Sequence, residues 1–390
     1  MSINFSITFI ITGEFNNFHR KPMIISIAKA IYPNIVIIID RPYDFIPNFF
    51  RKRYKLFKEK IEKKDNVFIL NSKIIIHDQI TLRFCKNLKK ISFFIIKKDF
   101  NNLYSKLEIK NNILWIMHPD LIDYSEYINH NSILYDCYDE FIVNTAVKNI
   151  EKREKELVEK SNIIITSSKY LKEKKEILYN FKNIFFSSTA INKENFCFEY
   201  NKNLLDIKKT NEIFKNKKII GFAGSIRNDI DLEIVEYIAK EKNDCSIVFL
   251  GKIFDKKIFE RLKLFDNIIF LGEKNFEDFI KYIDLFDVSI MPHILNDFIL
   301  SSSPYKFYQY LAKSCFIVSS KIPEIVDFEK TELGQKFVRT AKDKFEFLSL
   351  INYFINKPKE KISEEELYSI SWDNRFEKLK EKMIELKIID

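Results

Sequence analysis

Apolar runs of strand length recur through the first half of the chain, in the order ITFIIT, NIVIIID, NVFIL, KIIIHD, ISFFII, NILWIMH, SILYD, NIIITSS and NIFFSS. Longer charged stretches with helical spacing separate them. Near-continuous Ile, Val and Phe runs predict parallel strands covered on both faces, because a strand with one wet face would alternate apolar and polar residues. The first half therefore reads as an α/β layered domain. From about Thr189 to Lys218 the strand signal lapses into NKENFCFEYNKNLLDIKKTNEIFKNKK, which offers little to bury and marks a boundary. A second series follows: KIIGFAGS, SIVFLG, NIIFLG, DVSIMP and CFIVSS. The expectation is two doubly wound domains, residues 1–190 and 191–370, with a cleft between their strand carboxyl ends. The tail SEEELYSISWDNRFEKLKEKMIELKIID reads as one or two helices, with residues 371–390 packing back towards the N-terminal domain. Trp372 and Phe376, at i and i+4, can anchor it.

At 390 residues the chain exceeds one ordinary core, which supports two domains. With 46% hydrophobic and 31% charged residues it is globular rather than disordered. The cysteines, Cys85, Cys137, Cys197, Cys245 and Cys315, are scattered and never spaced as CxxC, which points to a reducing compartment and no structural zinc. The opening MSINFSITFIITGEF lacks a basic leader and a small-residue cleavage site, so it reads as a first strand. A cytoplasmic protein is expected, with any membrane contact peripheral to the inner face.

The formal net charge is +9, and it is unevenly spread. In PNFFRKRYKLFKEKIEKK, Pro47 to Lys64, aromatic and aliphatic side chains interleave with Arg51, Lys52, Arg53, Lys55 and Lys58 among other cations. A basic amphipathic helix of this composition can lie on anionic lipid, and an ordinary solvated helix face is the alternative. No helix-turn-helix, RNA-recognition or zinc-finger pattern accompanies the patch, so nucleic acid is not an expected partner.

Candidate chemistry concentrates in LSSSPYKFYQYLAKSCFIVSS, Leu300 to Ser320. Ser303 suits a helix N-cap, Pro304 the first helical position, and Lys306 then falls in the first turn, where a cation opposes the helix dipole. A bound phosphate would offset that cost, since helix-start N–H groups, the hydroxyls of Ser302 and Ser303 and one ammonium make an anion site. Gln309 and Lys313 share the Lys306 face, beside an apolar stripe of Phe307, Tyr310 and Leu311. Gly224 and Ser225, at the strand-to-helix turn GFAGSI, would let a phosphate approach backbone N–H groups. In the first half, NILWIMHPD ends at His118, and SILYDCYDEF ends at Asp136, Asp139 and Glu140, where acid–base groups stand in such sheets. His118 could equally cap or pack, and Asp139 could cap a following helix. GxSxG, GxxxxGK[ST], GxGxxG and HExxH are all missing from the sequence.

Taken in order, HRKPMIISIAK, LWIMHP, YDCYDEF, SNIIITSSKYLKEKK, GFAGSI, FLGEKNFEDFIKYIDLFDVSIMP, SSPYKFYQYLAKSCFIVSS and SWDNRFEKL resemble GT-B glycosyltransferases of the family-four-like superfamily, in particular those of teichuronic-acid and surface-polysaccharide synthesis. The resemblance implies a nucleoside diphosphate sugar as co-substrate, UDP-sugars favoured, and a glycan or lipid-linked acceptor. It also implies that Lys306 meets the donor diphosphate, helped by Ser303, so that no metal or other cofactor is required. Retaining members of this superfamily carry an E-x7-E pair, which here is replaced by Ser301 and Gln309. That departure points towards inverting, glucuronosyltransferase-type members, with Gln309 still able to hydrogen-bond a ribose, Asp139 as base and His118 as second candidate. A nucleotide-sugar epimerase of the same fold, or a degenerate scaffold, are the rival readings.

Overall fold

A computed structural model describes residues 5–40, 43–44, 61–74, 86–143, 149–196, 214 and 217–390. The chain divides into two compact units, one of residues 1–167, 171–187 and 375–390, the other of 168–170 and 188–374.

In the first unit the strands are β1 (Phe5–Ile10), β2 (Ile35–Ile39), β3 (Tyr43–Asp44), β4 (Ile61–Lys64), β5 (Val67–Leu70), β6 (Lys73–Ile74), β7 (Asn111–Ile116), β8 (Ser132–Cys137), β9 (Ile163–Thr166) and β10 (Ile184–Phe186). Eight of them form one sheet in the order β10-β9-β8-β7-β1-β2-β5-β4, and β3 pairs with β6. Every pairing of the large sheet is parallel except β4 with β5. The order reverses between β1 and β7, the switch point at which open α/β sheets leave a crevice. Central strands β2 and β8 are buried along their whole length, as their unbroken apolar runs predict.

Two segments differ from the sequence reading. ISFFII lies inside a helix, Lys86–Lys106, because a short apolar run buried on one side has no period that separates strand from helix. The segment read as a basic helix over 47–64 ends instead in β4, where IEKK pairs antiparallel with VFIL through registers such as Ile61 with Leu70. Arg51, Lys52, Arg53, Lys55 and Lys58 lie outside the described residues.

The second unit contains β11 (Lys218–Ala223), β12 (Cys245–Leu250), β13 (Ile268–Gly272), β14 (Val288–Met291), β15 (Phe316–Ser320) and β16 (Val338–Ala341). All pairings are parallel in the order β13-β12-β11-β14-β15-β16. Numbered within the unit this is 3-2-1-4-5-6, the order of dinucleotide-binding sheets, and it reverses between β11 and β14. Its core joins strand residues such as Phe222, Phe249 and Ile290 to helix residues such as Val235, Ile238 and Tyr310.

The tail forms two helices, Glu364–Ser369 and Trp372–Glu385, the first opened by a Ser363–Glu366 capping box. Trp372 and Phe376 are both buried, as their spacing predicts. Cys137, Cys245 and Cys315 are buried free thiols, and Cys85 and Cys197 lie outside the described residues. Among the described residues no helix is long and apolar enough to cross a membrane.

Candidate functional site

At the carboxyl end of β11 the chain turns through Gly224, which has φ +146°. Gly251, at the end of β12, comes so close that a Cβ there would lie 2.0 Å from the Gly224 carbonyl oxygen. Both positions thus require glycine, and the pair brings backbone rather than side chains to the switch point. The helix Tyr305–Ala312 is fixed over the same strand end by Tyr310, whose hydroxyl accepts from Ala223 N at 2.6 Å and donates to Ala223 O at 3.2 Å. One turn earlier on that helix, at i−4, stands Lys306. Its ammonium lies 4.3 Å from the centre of the Phe222 ring and 3.2 Å from Nε2 of His293.

The lysine side chain runs along Gly224: a Cβ added there would sit 3.2 Å from Lys306 Cε and 3.3 Å from Nζ. Gly224→Ala is accordingly expected to displace Lys306 and to lower the unfolding free energy by about 1–3 kcal/mol through backbone strain. Urea unfolding checks this, with Gly13→Ala, whose surroundings are open, as the variant expected to change little. Burial holds the Lys306 amine down to about 8, with Asp229 opposing the shift and Arg227 adding to it. Arg227 itself is exposed and stacks on Phe254, 4.9 Å from the ring centre. Lysine, arginine and the helix start therefore bring positive charge to the ends of β11 and β14.

The hydroxyls divide differently from the sequence reading. Pro304, not Ser303, occupies the N-cap position and makes no side-chain cap, while Ser303 Oγ accepts from the backbone N–H of Thr189 at 3.1 Å. The reason is tertiary: a residue 114 positions away competes for the oxygen a local cap would use. Ser302 closes the preceding helix, Asp297–Ser301, donating to Ile299 O at 2.8 Å. Ser225 is half-buried beside Gly224, and Gln309 is 6% exposed one turn along from Lys306. Lys313 leaves the Lys306 face to pair with Asp284 at 2.9 Å. Ser301 is fully buried and its hydroxyl has no hydrogen-bond partner among the described residues, so neither position of the expected acidic pair presents a carboxylate.

His293 and Asp229 went unnoticed in the sequence. Each follows a recognisable strand or turn, in MPH and in SIRND, but only the antiparallel bridge between Ile230 and His293 brings them together.

In the first unit, His118 stands at the switch point after β7. Its Nδ1 accepts from Asp120 N at 3.1 Å, capping the 3-10 helix Pro119–Glu126, and its ring meets Phe141 edge-on at 4.7 Å. Burial holds the imidazole down to about 4, so it is neutral near pH 7. With Nδ1 accepting, the ring proton is on Nε2, and His118 presents a donor there rather than a base.

The three carboxylates at and just after the end of β8 take separate environments. Asp136 is buried against Arg20 at 2.8 Å and Trp115 Nε1 at 3.3 Å. Glu140 is buried against Lys175 at 2.9 Å and Lys174 at 3.0 Å. Asp139 between them is only half-buried, and a turn over 141–143 follows it. Of the three, Asp139 is the most exposed.

No family model matches the chain. TuaH of Bacillus subtilis, provisionally described as a teichuronic acid biosynthesis glycosyltransferase, is 22% identical over 233 residues, or 56% of this chain and 57% of that protein. The matched region thus spans just over half of that relative's length. A glycosyltransferase from Rickettsia africae ESF-5 superposes with a TM-score of 0.66 at 14% identity, covering 98% of both chains. Anabaena HepE, solved in complex with UDP, superposes with a TM-score of 0.62 at 10% identity over 98% of this chain and 100% of its own. The chain has the GT-B fold of two parallel-sheet α/β domains that these glycosyltransferase-related structures share.

Proposed function

We propose that this protein is a glycosyltransferase that moves a sugar from a nucleoside diphosphate sugar, a UDP-sugar in preference, to a cell-surface glycan or lipid-linked acceptor. The observation that carries the reading is the convergence of Lys306 with the Gly224 turn at the reversal point of the 3-2-1-4-5-6 sheet. A diphosphate there would meet backbone N–H groups, a helix start and a half-buried ammonium, which is the chemistry a departing diphosphate needs. The relation to TuaH and the UDP carried by HepE support the donor class.

The reaction then assigns a role to each group. Gly224, Ser225, Ser302, Ser303, Lys306 and Gln309 line the donor side, with Gln309 available to ribose hydroxyls. Lys306 and the helix start offset the negative charge that develops on the leaving diphosphate, so the step needs no metal. Asp139 takes the proton of the acceptor hydroxyl as that oxygen attacks the anomeric carbon, and His118 offers an Nε2–H to the acceptor. Displacement by a single attack inverts the anomeric centre, in keeping with the absence of carboxylates at positions 301 and 309. Peripheral contact with anionic lipid through the basic segment around Arg51 to Lys58 would bring a lipid-linked acceptor within reach, on the cytoplasmic face.

Release of UDP from a panel of UDP-sugars in the presence of lipid-linked and soluble glycan acceptors tests the reading. Asp139→Asn is expected to lower kcat by about 10²–10⁴-fold, the usual contribution of a positioned base, with UDP affinity unchanged. Interconversion of UDP-sugars without any acceptor would instead identify an epimerase.

A further inference from the structure

The ammonium of Lys306 is held from one side by groups that the reaction itself does not require. An ammonium has donors and no lone pair, so in the 3.2 Å contact Nε2 of His293 must be the acceptor. That fixes the neutral tautomer: the ring proton sits on Nδ1, which lies 4.0 Å from Asp229 Oδ1, beyond hydrogen-bond reach, and neither atom has a hydrogen-bond partner among the described residues. The backbone locks this row of groups in place. Ile294 N donates to Asp229 O at 2.8 Å, Asp231 N donates to Pro292 O at 2.8 Å, and His293 N donates to Ser320 Oγ at 2.9 Å. His293 is only 4% exposed. Its burial and the Lys306 charge hold the imidazole well below its ordinary value, which favours the neutral ring that the contact with Lys306 requires.

We propose that His293 and Asp229 are positioning residues for Lys306: His293 Nε2 holds the ammonium over the Gly224 turn for an incoming diphosphate, and the Asp229 carboxylate behind the ring supplies a compensating negative charge without pairing with the ammonium. The inference rests on the reading of Lys306 as the donor-phosphate lysine. The geometry gives it a specific logic. A half-buried lysine with no acceptor would lose its proton more readily, because burial disfavours the charged form. A neutral acceptor supports the charge without competing for the phosphate, whereas a carboxylate in direct contact would pair with the lysine and block it. Asp229 is kept one residue removed from that contact by the ring. The charged and titratable groups facing Lys306 among the described residues are Arg227 and Asp229 from the turn after β11 and His293 from the turn after β14, with the Phe222 ring beneath.

The test titrates the Lys306 amine directly, without substrate. Its rate of acylation by an amine-reactive reagent is followed against pH by peptide mass spectrometry on the full-length protein. The wild-type midpoint is expected at about 8. His293→Leu and Asp229→Asn are each expected to lower it, by about one pH unit for the histidine change, leaving about a tenfold smaller protonated fraction at a pH above both midpoints. His293→Gln, whose side-chain oxygen can accept from the ammonium, is expected to restore most of the shift. UDP affinity measured over the same pH range should fall as each protein passes its own midpoint. An unchanged midpoint in folded His293→Leu overturns the proposal. If that variant does not fold, an unchanged midpoint in Asp229→Asn, a substitution at a partly exposed side chain, overturns it equally. Midpoints that shift as expected in a protein that binds no nucleoside diphosphate would uphold the positioning of Lys306 and overturn the donor reading instead.

Discussion

Lys175→Met is expected to lower the stability of the first unit by about 3–5 kcal/mol, the typical cost of stranding a buried charge by removing its partner. Lys175 is completely buried, and its ammonium meets Glu140 at 2.9 Å and Glu154 at 2.8 Å. Glu154 also accepts from the Tyr135 hydroxyl at 2.6 Å and from Tyr179 at 2.8 Å. Burial alone would strip the proton from Lys175, yet the surrounding acidic groups outweigh it and raise the amine above its ordinary range. For Glu140, burial is outweighed in turn by Lys175 and Lys174, and the carboxyl is lowered. The stability that Glu140 contributes is therefore present above its ordinary carboxylate range and is lost as pH falls through the lowered value. Thermal unfolding checks the substitution: a fall in Tm of about 10 °C is expected for a unit of this size. A fall within 2 °C or so would mean that the two glutamates find protons or other partners without cost. The cluster keeps Glu140 buried and paired with Lys175 and Lys174.

Lys306→Ala is expected to carry the largest effect on donor binding. A charge-assisted hydrogen bond contributes about 1.5–3 kcal/mol, so UDP should bind roughly 10- to 150-fold more weakly by calorimetry. The fold should survive, because the packing of that helix rests on Phe307, Tyr308, Tyr310 and Leu311, all fully buried, and on the Tyr310 bonds to Ala223. Lys306→Arg is not expected to rescue binding fully, since the longer planar head group would have to fit between Gly224 and His293. Equal UDP affinity in wild type and Lys306→Ala would place the diphosphate elsewhere.

Much of this architecture is legible in the sequence because both large sheets, apart from the antiparallel edge strand β4, are parallel and their central strands are buried. All five apolar runs of the second series became strands, and their order in the sheet follows from chain order with one reversal. What escaped has physical reasons. ISFFII lies in a helix with Ile91 and Phe94 exposed, so it lacks both a clean helical face and a strand's alternation. β4 is an edge strand whose sequence IEKK is charged, as edges commonly are, and charge disguises it as part of a basic helix. Val338–Ala341 is too short and mixed to stand out as a strand. At the site, Gly224 and Lys306 announce themselves through local backbone demands. His293 and Asp229 do not, because their relation depends on two loops 64 positions apart in number being bridged in space, Ile230 to His293 and its neighbours. Ser303 shows the converse: a sound local cap signal is overridden by a long-range bond to Thr189.

The central claim is that a nucleoside diphosphate binds where β11 and β14 diverge. Hydrogen exchange of the wild-type protein with and without saturating UDP tests it without any substitution. Slower exchange at Ser225, Tyr305 and Lys306 is the expected result, since the diphosphate would engage these amides of the turn and helix start, whereas those of Gly224 and Ile226 already donate to Leu250 O and Lys252 O. Protection confined to other segments, or none under conditions where UDP is shown to bind, would contradict it.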